Sequence, residues 1–197
     1  MGQYYRAITQ QNGTTTVYNR NIKRGNKEEY TFAKLTEHSW WLNDFVNAVC
    51  SDIYQETKPV RIAWVGDYAD DVESQNDLDG EQIKKLHKLA WDCKGIAVEP
   101  TKFTLKNKYL VNHSNYEYLD CNKYFKNSIT AGWCLHPLPL LTCIGNGLGG
   151  GDYCSPTGDS TAELVGFWAW DEISITDEPP QDYEELTVIF KEKGWEE

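Results

Sequence analysis

The glycine-rich stretch "LPLLTCIGNGLGGGDYC", residues 138–154, has a composition and spacing with which its backbone could bind a ligand. Five glycines fall within seven positions, namely Gly145, Gly147, Gly149, Gly150 and Gly151. An ordered glycine costs more backbone entropy than any other residue, so the cluster indicates a sharp turn or a close approach to the backbone. Main-chain amides with no Cβ beside them form nests that bind anions such as phosphate. The stretch therefore predicts either a ligand-contacting loop or a structural or partner-facing loop.

Neither of the named phosphate-binding loops is present in this stretch. Gly145, Gly147 and Gly150 spell G-x-G-x-x-G, but the following "GDYCSPTGDST" does not predict the helix that the dinucleotide fingerprint requires. No Gly-Lys-Ser/Thr follows either, which excludes the Walker loop. A ligand would thus be held by the loop itself, through Gly145, Asn146, Gly147, Gly149, Gly150, Gly151 and Asp152.

A second group of candidate residues lies in "WVGDYADD". Asp67 follows a predicted buried strand, and strand ends are frequent places for functional side chains. Trp64, three residues earlier, has the aromatic ring that a nucleotide base stacks on, so both residues are predicted ligand contacts. Asp67, Asp70 and Asp71 together could bind a divalent cation. The alternative is a solvated acidic turn.

The histidines offer candidates for acid–base chemistry. Asp67 and His136 are the acid–base candidates if the protein is an enzyme, although a general base needs a partner within hydrogen-bond reach. His38 and His136 each adjoin apolar residues, which also fits a core or capping histidine. Cys134 could pair with either histidine as a nucleophile, but nothing in the sequence marks its thiol as activated.

Metal and cofactor sites are not predicted. Cys134, His136, Cys143 and Cys154 are zinc-ligand types, but their spacing matches none of the standard zinc motifs. The sequence leaves open whether these four bind a metal.

Composition and charge narrow the classes of function. The net charge of −11 argues against direct nucleic-acid binding, which depends on Lys and Arg at phosphates. Two explanations of the acidity remain: solubility, or an acidic surface that mimics nucleic acid. No apolar run reaches membrane length and no signal peptide is evident, so the sequence predicts a cytoplasmic protein without a membrane partner. The oligomeric state stays open.

The N-terminal half predicts elements that would position these residues. Asn12-Gly13 between β-branched and aromatic flanks predicts a hairpin. A helix is predicted by helical spacing of apolar residues, namely Leu42, Phe45, Val46, Val49 and Ile53, with Ser39 or Asn43 as its cap. The apolar "VRIAWVGD" predicts a strand buried on both faces.

The remaining elements complete an α+β pattern. Asp79 with Gln82 predicts a capping box before a second helix, and a hairpin should turn near residues 114–115. A strand should precede the glycine loop, "ELVGFWAWDEISITD" should form one or two strands, and "DYEELTVIFKEKG" a last helix. We expect a single α+β domain spanning residues 1–197, with a mostly antiparallel sheet and about three helices.

Several strings together resemble a family of uncharacterised proteins of bacteriophages and gut bacteria: "GQYYRA", "LTEHSWW", "WVGDYAD", "KYLVNHSNYEYLD" and "HPLPLLTCIGNGLGGGDY". The resemblance covers nearly the whole chain and implies no activity. It implies a setting, namely a phage-type accessory protein in the cytoplasm of an infected bacterium. By analogy with such proteins, it would counter a host defence system.

Two classes of function remain. The first is a non-catalytic protein that binds either a host defence protein, through acidic and aromatic surface, or a nucleotide-like signal molecule. If the ligand is the nucleotide-like signal molecule, the glycine loop holds its phosphates, and Arg6, Arg61 or lysines add positive charge. The alternative class is a hydrolase or transferase acting on a nucleotide derivative. A virion or assembly component fits the sequence less well.

Overall fold

A computed structural model describes residues 3–24, 27–31, 44–99, 101–130, 135–149, 152–153 and 161–190. The strands are β1 (Tyr5–Gln11), β2 (Thr14–Arg24), β3 (Lys27–Thr31), β4 (Val60–Gly66), β5 (Ser74–Gln75), β6 (Leu78–Asp79), β7 (Ile96–Val98), β8 (Tyr109–Asn112), β9 (Glu117–Asp120), β10 (Cys143–Ile144), β11 (Glu172–Thr176) and β12 (Glu184–Glu185). The helices are α1 (Asp44–Gln55), α2 (Gly80–Asp92), α3 (Cys121–Thr130), α4 (Pro137–Thr142) and α5 (Thr161–Leu164).

One mixed sheet organises the described part of the chain. Its strand order is β12-β9-β8-β11-β4-β1-β2-β3, with β10 added beside β4 and β7 beside β2. Most neighbours are antiparallel, whereas β10, β7 and β12 pair in parallel. The predicted α+β class with a mostly antiparallel sheet is confirmed.

Strand β4 lies at the centre of this sheet and is buried on both faces. Ile62 and Trp64 belong to the larger apolar cluster, on the face covered by α1 and α4. Ala63 and Val65 belong to the smaller cluster on the opposite face, which α2 covers through its own apolar residues. The alternation follows from the period of two in a strand, and the continuous apolar sequence is typical of a strand covered on both sides.

The hairpins and the first two helices match the sequence-based predictions. β1 and β2 pair across Asn12-Gly13, which both have positive φ, as the predicted turn requires. β8 and β9 form the second hairpin around residues 114–115. Helix α2 begins with the capping box of Asp79 and Gln82. The proposed caps of α1, Ser39 and Asn43, lie outside the described residues.

Three predictions from sequence periodicity are wrong. The stretch before the glycine loop is helix α4 followed by only two strand residues, because Pro137 takes the first helical position and His136 caps it. In "ELVGFWAWDEISITD" only β11 is a strand, since residues 165–170 form turns. Residues 183–190 contain β12 and otherwise no regular secondary structure, instead of a helix.

Helix α3 was not predicted from the sequence. With α1 and α2 it gives three helices of ten or more residues among the described residues, although a different third helix was expected. Within the same residues, no helix combines the length and the apolar character that crossing a membrane requires.

The capping box of α2 provides the first prediction. The carboxylate of Asp79 accepts a hydrogen bond from the Gln82 amide at 2.8 Å, and the Asp79 amide donates to the Gln82 side chain at 3.0 Å. We expect Asp79→Ala to lower the free energy of unfolding by about 1 kcal/mol, because the Gln82 amide loses its acceptor. Asp79→Asn keeps an acceptor and should retain most of that stability. Urea unfolding measures both, and an alanine variant as stable as the asparagine variant would contradict this assignment.

Candidate functional site

Side chains of the protein itself accept hydrogen bonds from amides of the glycine loop. One carboxylate oxygen of Asp152 accepts hydrogen bonds from the amides of Gly147 (2.7 Å) and Gly149 (3.0 Å). The amide of Gly145 donates to the side chain of Gln75 at 3.1 Å. A nest of amides is therefore present, as the sequence suggested, but an internal carboxylate occupies it.

The Asn146 side chain links the loop to the backbone of Tyr153. Its side-chain amide donates to the Tyr153 carbonyl at 3.0 Å, and its side-chain oxygen accepts from the Tyr153 amide at 2.8 Å. The structure corrects the expectation that amides from Gly145 to Gly149 stay free for a foreign anion, because those of Gly145, Gly147 and Gly149 have internal acceptors. Gly150 and Gly151 lie outside the described residues, so their predicted contacts remain predictions.

The inner side of the loop packs against the N-terminal segment. A Cβ at Gly149 would lie 2.5 Å from the Cβ of Gln3, a fully buried residue. Burial raises the pKa of the Tyr5 hydroxyl well above its usual range, and the neighbouring Cys143 and Asp152 raise it further. The glycine at position 149 is thus explained by a close approach of the protein's own chain.

His136 has a structural position. It is 2 % exposed, and its Nδ1 accepts the Leu138 amide at 3.2 Å as the cap of α4. Since that nitrogen accepts, Nε2 carries the proton, and it lies 4.0 Å from the Cys50 sulfur. Burial lowers the pKa of His136 to about 3, whereas it raises that of Cys50. The residue does not sit where a substrate could reach it, which corrects its assignment as an acid–base candidate.

Asp67 holds the N-terminal segment in place. Its carboxylate accepts the Tyr4 amide at 3.0 Å, and its own amide donates to the Tyr4 carbonyl at 2.9 Å. Its carbonyl also lies 3.1 Å from the His87 ring. Asp67 and His136 therefore belong to separate networks, and the structure does not join them into an acid–base pair.

Two other residues that were predicted to contact a ligand are buried in the interior. Trp64 is fully buried and packs edge-to-face on Phe45, with ring centroids 5.9 Å apart, so its ring presents no open face to a base. Arg6 is buried as well and donates to the carbonyls of Tyr18 and Ala90. Neither side chain is positioned for the ligand that the sequence suggested.

The four possible zinc ligands are not assembled in the described residues. Cys134 and Cys154 lie outside them, and the Cys143 thiol donates to the Leu140 carbonyl at 3.5 Å. Where the structure describes the chain, no group of three or more histidine, cysteine or acidic side chains could hold a metal ion.

A cleft that the sequence did not predict lies on the opposite side of β4 from β1. It has a volume of about 470 Å³ and combines aromatic, acidic and amide side chains. Its lining includes Arg61, Asn76, Asp77, Gln82, Asn115, Phe167, Trp170 and Asp171. The lining residues come from β4, from residues 76–82, from the turn of the β8–β9 hairpin and from the segment before β11.

Asp171 is held in this cleft by two side-chain hydrogen bonds. Its carboxylate accepts from the side-chain amide of the fully buried Asn112 at 2.8 Å and from that of Asn115 at 3.4 Å. Burial raises the pKa of Asp171, and the nearby carboxylate of Asp77 raises it further. The cleft thus contains two carboxylates, and the charge of Asp77 acts on Asp171.

Trp170 adopts a backbone conformation that is unusual for a bulky residue. Its φ is 68°, in the left-handed region. The Trp170 amide donates to the Ile62 carbonyl at 2.7 Å, and the Ile62 amide donates to the Asp171 carbonyl at 3.3 Å, so β4 holds the distortion in place. Such outliers concentrate at functional sites. One sequence feature indicates this cleft, namely the dense aromatics of "GFWAWD", a segment for which the sequence pattern predicts a strand.

The chain was compared with protein-family models, with curated proteins and with solved structures, and none of the three comparisons found a match. The functional assignment therefore depends on the geometry described above.

The Asp152 network gives a prediction for loop stability. We expect Asp152→Ala to lower the free energy of unfolding by about 3 kcal/mol, because two partly buried amides lose a charged acceptor. Asp152→Asn keeps an acceptor oxygen and should lose less. Asp71→Asn, at an exposed position outside the loop, controls for the change in charge. Equal midpoints of urea unfolding for Asp152→Ala and wild type would show that the carboxylate does not hold the loop.

The burial of His136 gives a prediction for acid stability. The unfolded chain binds a proton at this residue near pH 6.5, whereas the folded chain does so only near pH 3. Stability from this residue is therefore complete above pH 6.5 and falls by about 1.4 kcal/mol per pH unit below it. His136→Asn keeps a capping oxygen but cannot titrate, so its stability should fall less steeply between pH 6.5 and 4.5. Parallel stability curves for the two proteins would refute the assignment.

Proposed function

We propose that the protein is a phage-type accessory protein that counters a host defence system by binding a host protein without changing it chemically. The observation that supports this choice is the cleft, in which the carboxylates of Asp77 and Asp171 lie beside the aromatic side chains of Phe167 and Trp170. This combination favours a cationic side chain of a partner, such as a protruding arginine or lysine.

The charge of the cleft favours a cation over a phosphate. Arg61 is the one cationic residue among the described residues that line it, and Glu172 lies 3.5 Å from its guanidinium. Among the described residues that line the cleft, no further positive charge balances the two aspartates. A phosphate would meet net repulsion here, whereas an arginine would find carboxylate acceptors for its fixed array of donors.

The aromatic side chains add a second source of affinity for a cation. Phe167 is 37 % exposed, and Trp170 is partly buried against the core. A guanidinium or ammonium over an aromatic face gains about 0.5 to 2 kcal/mol, depending on how far it is desolvated. Arginine is also among the residues that most often dominate binding energy at protein interfaces.

The nucleotide-like signal molecule has less support. Its phosphates were expected at the amides of the glycine loop, and those of Gly147 and Gly149 bind Asp152 instead. The hydrolase or transferase built on Asp67 and His136 also lacks support, since the two residues serve separate structural networks. Both versions are nevertheless distinguishable outcomes of the experiment below.

The binding prediction uses two matched peptides. One is a labelled peptide of alternating arginine and glycine, which represents a basic segment of a host protein; in the other, citrulline replaces arginine. We expect the arginine peptide to bind more tightly, and Asp77→Asn and Asp171→Asn each to weaken its binding by about tenfold at low salt, close to the contribution of one hydrogen bond to a charged group. Fluorescence anisotropy measures the affinities, and Asp71→Asn controls for net charge.

Two results would overturn the proposal. The first is an equal loss of affinity in Asp71→Asn, which would mean that the peptide follows the overall negative charge of the molecule. The second is a rise in melting temperature with cyclic nucleotides or ADP-ribose but not with the arginine peptide, which would favour the nucleotide-like signal. Ligand recovered in altered form would favour the enzyme.

The anti-defence role requires a cellular measurement. In bacterial strains that each carry one defence system, expression of the protein should raise phage plating in at least one strain. The double variant Asp77→Asn/Asp171→Asn should lose that effect, whereas Asp71→Asn should keep it. Unchanged plating across the strains would argue against the role, and unchanged activity of the double variant would argue against the cleft.

A further inference from the structure

His113 joins a serine and a tyrosine through its two ring nitrogens. Its Nε2 lies 2.8 Å from the Ser174 hydroxyl, and its Nδ1 lies 3.0 Å from the Tyr183 hydroxyl. All three residues are partly exposed. None of the three residues lines the cleft. The sequence does not predict this arrangement, because the three residues are distant in the chain.

The sheet brings the three side chains together. In the register of β8 and β11, Ser174 pairs with Val111, and the His113 amide donates to the Glu172 carbonyl at 2.8 Å. Ile173 and Ile175 point into the core, so Ser174 between them lies on the opposite face. Two neighbouring strands thus fix the serine and the histidine relative to each other.

Tyr183 is positioned by the chain that leads into β12. Its ring packs edge-on against that of His113, with centroids 5.6 Å apart, and against that of Tyr116 at 5.3 Å. The Glu184 amide donates to the Tyr116 carbonyl at 2.9 Å, which anchors this segment to the hairpin. The imidazole is therefore held from two sides.

We propose that Ser174 is a nucleophile, that His113 is its general base, and that the site accepts small activated acyl esters. A hydroxyl within hydrogen-bond reach of an imidazole whose other nitrogen is held by a third group is the usual arrangement of an activated serine. Tyr183 is the positioning residue: when its oxygen accepts the Nδ1 proton, Nε2 is free to accept the proton of Ser174. This activity is separate from the binding function proposed for the cleft.

The proposed reaction proceeds in two balanced steps. In the first, the Ser174 oxygen bonds to the ester carbonyl carbon and its proton passes to His113 Nε2; the bond from that carbon to the alcohol oxygen then breaks, and the alcohol leaves with the proton from Nε2. The product is an acyl group on Ser174. In the second step the oxygen of water bonds to the acyl carbon and a water proton passes to His113 Nε2; the bond between the acyl carbon and the Ser174 oxygen then breaks, Nε2 gives its proton to that oxygen, and the carboxylic acid leaves.

The environment keeps the imidazole in the required state. Burial lowers the pKa of His113, while the nearby carboxylate of Glu172 raises it by a smaller effect. Among the described residues, Ser174 and Tyr183 contact the ring nitrogens, and the charge of Glu172 acts on the ring. At pH 7 the ring is therefore neutral and able to take a proton, and acylation should decline only below the ordinary range of histidine titration.

The test uses the full-length protein and p-nitrophenyl acetate. We expect p-nitrophenolate release and an acetyl group on Ser174, located by mass spectrometry of peptides. Ser174→Ala should abolish the adduct, and His113→Asn should slow its formation by about a hundredfold or more, the usual contribution of a general base. Ser51→Ala, at a partly exposed serine on α1, should match the wild type.

Further variants separate catalysis from folding. Ser174→Cys retains a nucleophile and should still acylate if Ser174→Ala fails to fold. Tyr183→Phe should shift the pH at which acylation is half-maximal, which a merely structural loss would not do. The proposal is overturned if Ser174→Ala, folded by circular dichroism, reacts like the wild type, if the acetyl group is found only on lysines, or if Ser174→Cys folds without reacting.

Discussion

The rest of the described structure depends on the burial of strand β4 on both faces. Its apolar side chains leave no face for solvent, and its backbone groups need partners along both edges. β1 supplies one edge, whereas β10 and β11 share the other. Helices then have to cover both faces, which explains why α1 and α4 lie on one side and α2 on the other.

The shared edge of β4 determines where the candidate sites lie. Because β10 covers its C-terminal half and β11 its N-terminal half, the chain must bend between them, and residues 165–170 make that bend as turns. Trp170 takes its left-handed conformation there, and Asp171 follows it into the cleft. The same β11 then continues beside β8, where Ser174 meets His113. The positions of the cleft and of Ser174 thus both follow from the way β10 and β11 share one edge of β4.

Elements with a strong local signal were predictable from the sequence. The Asn12-Gly13 turn and the capping box at Asp79 each depend on interactions within a few residues, and the continuous apolar sequence of β4 is typical of a strand covered on both faces. Helix α4 was not predicted, although Pro137 and His136 mark its start, because its apolar run also fits a strand. The turns at 165–170 were not predicted either, since their apolar run fits strand and helix equally. The cleft and the Ser174–His113–Tyr183 group depend on register between distant strands, which one sequence does not reveal.

The glycine loop shows why a motif for anion binding need not bind a foreign anion. Asp152 lies five residues after Gly147, so its carboxylate is present at the nest at a high effective concentration. A phosphate would have to displace it and leave a partly buried carboxylate without its donors, which is costly. In a chain with a net charge of −11, internal carboxylates outnumber the groups that could balance them. Such a molecule satisfies its own anion sites and leaves acidic clefts that attract cations, which is the physical reason to favour a basic partner at Asp77 and Asp171.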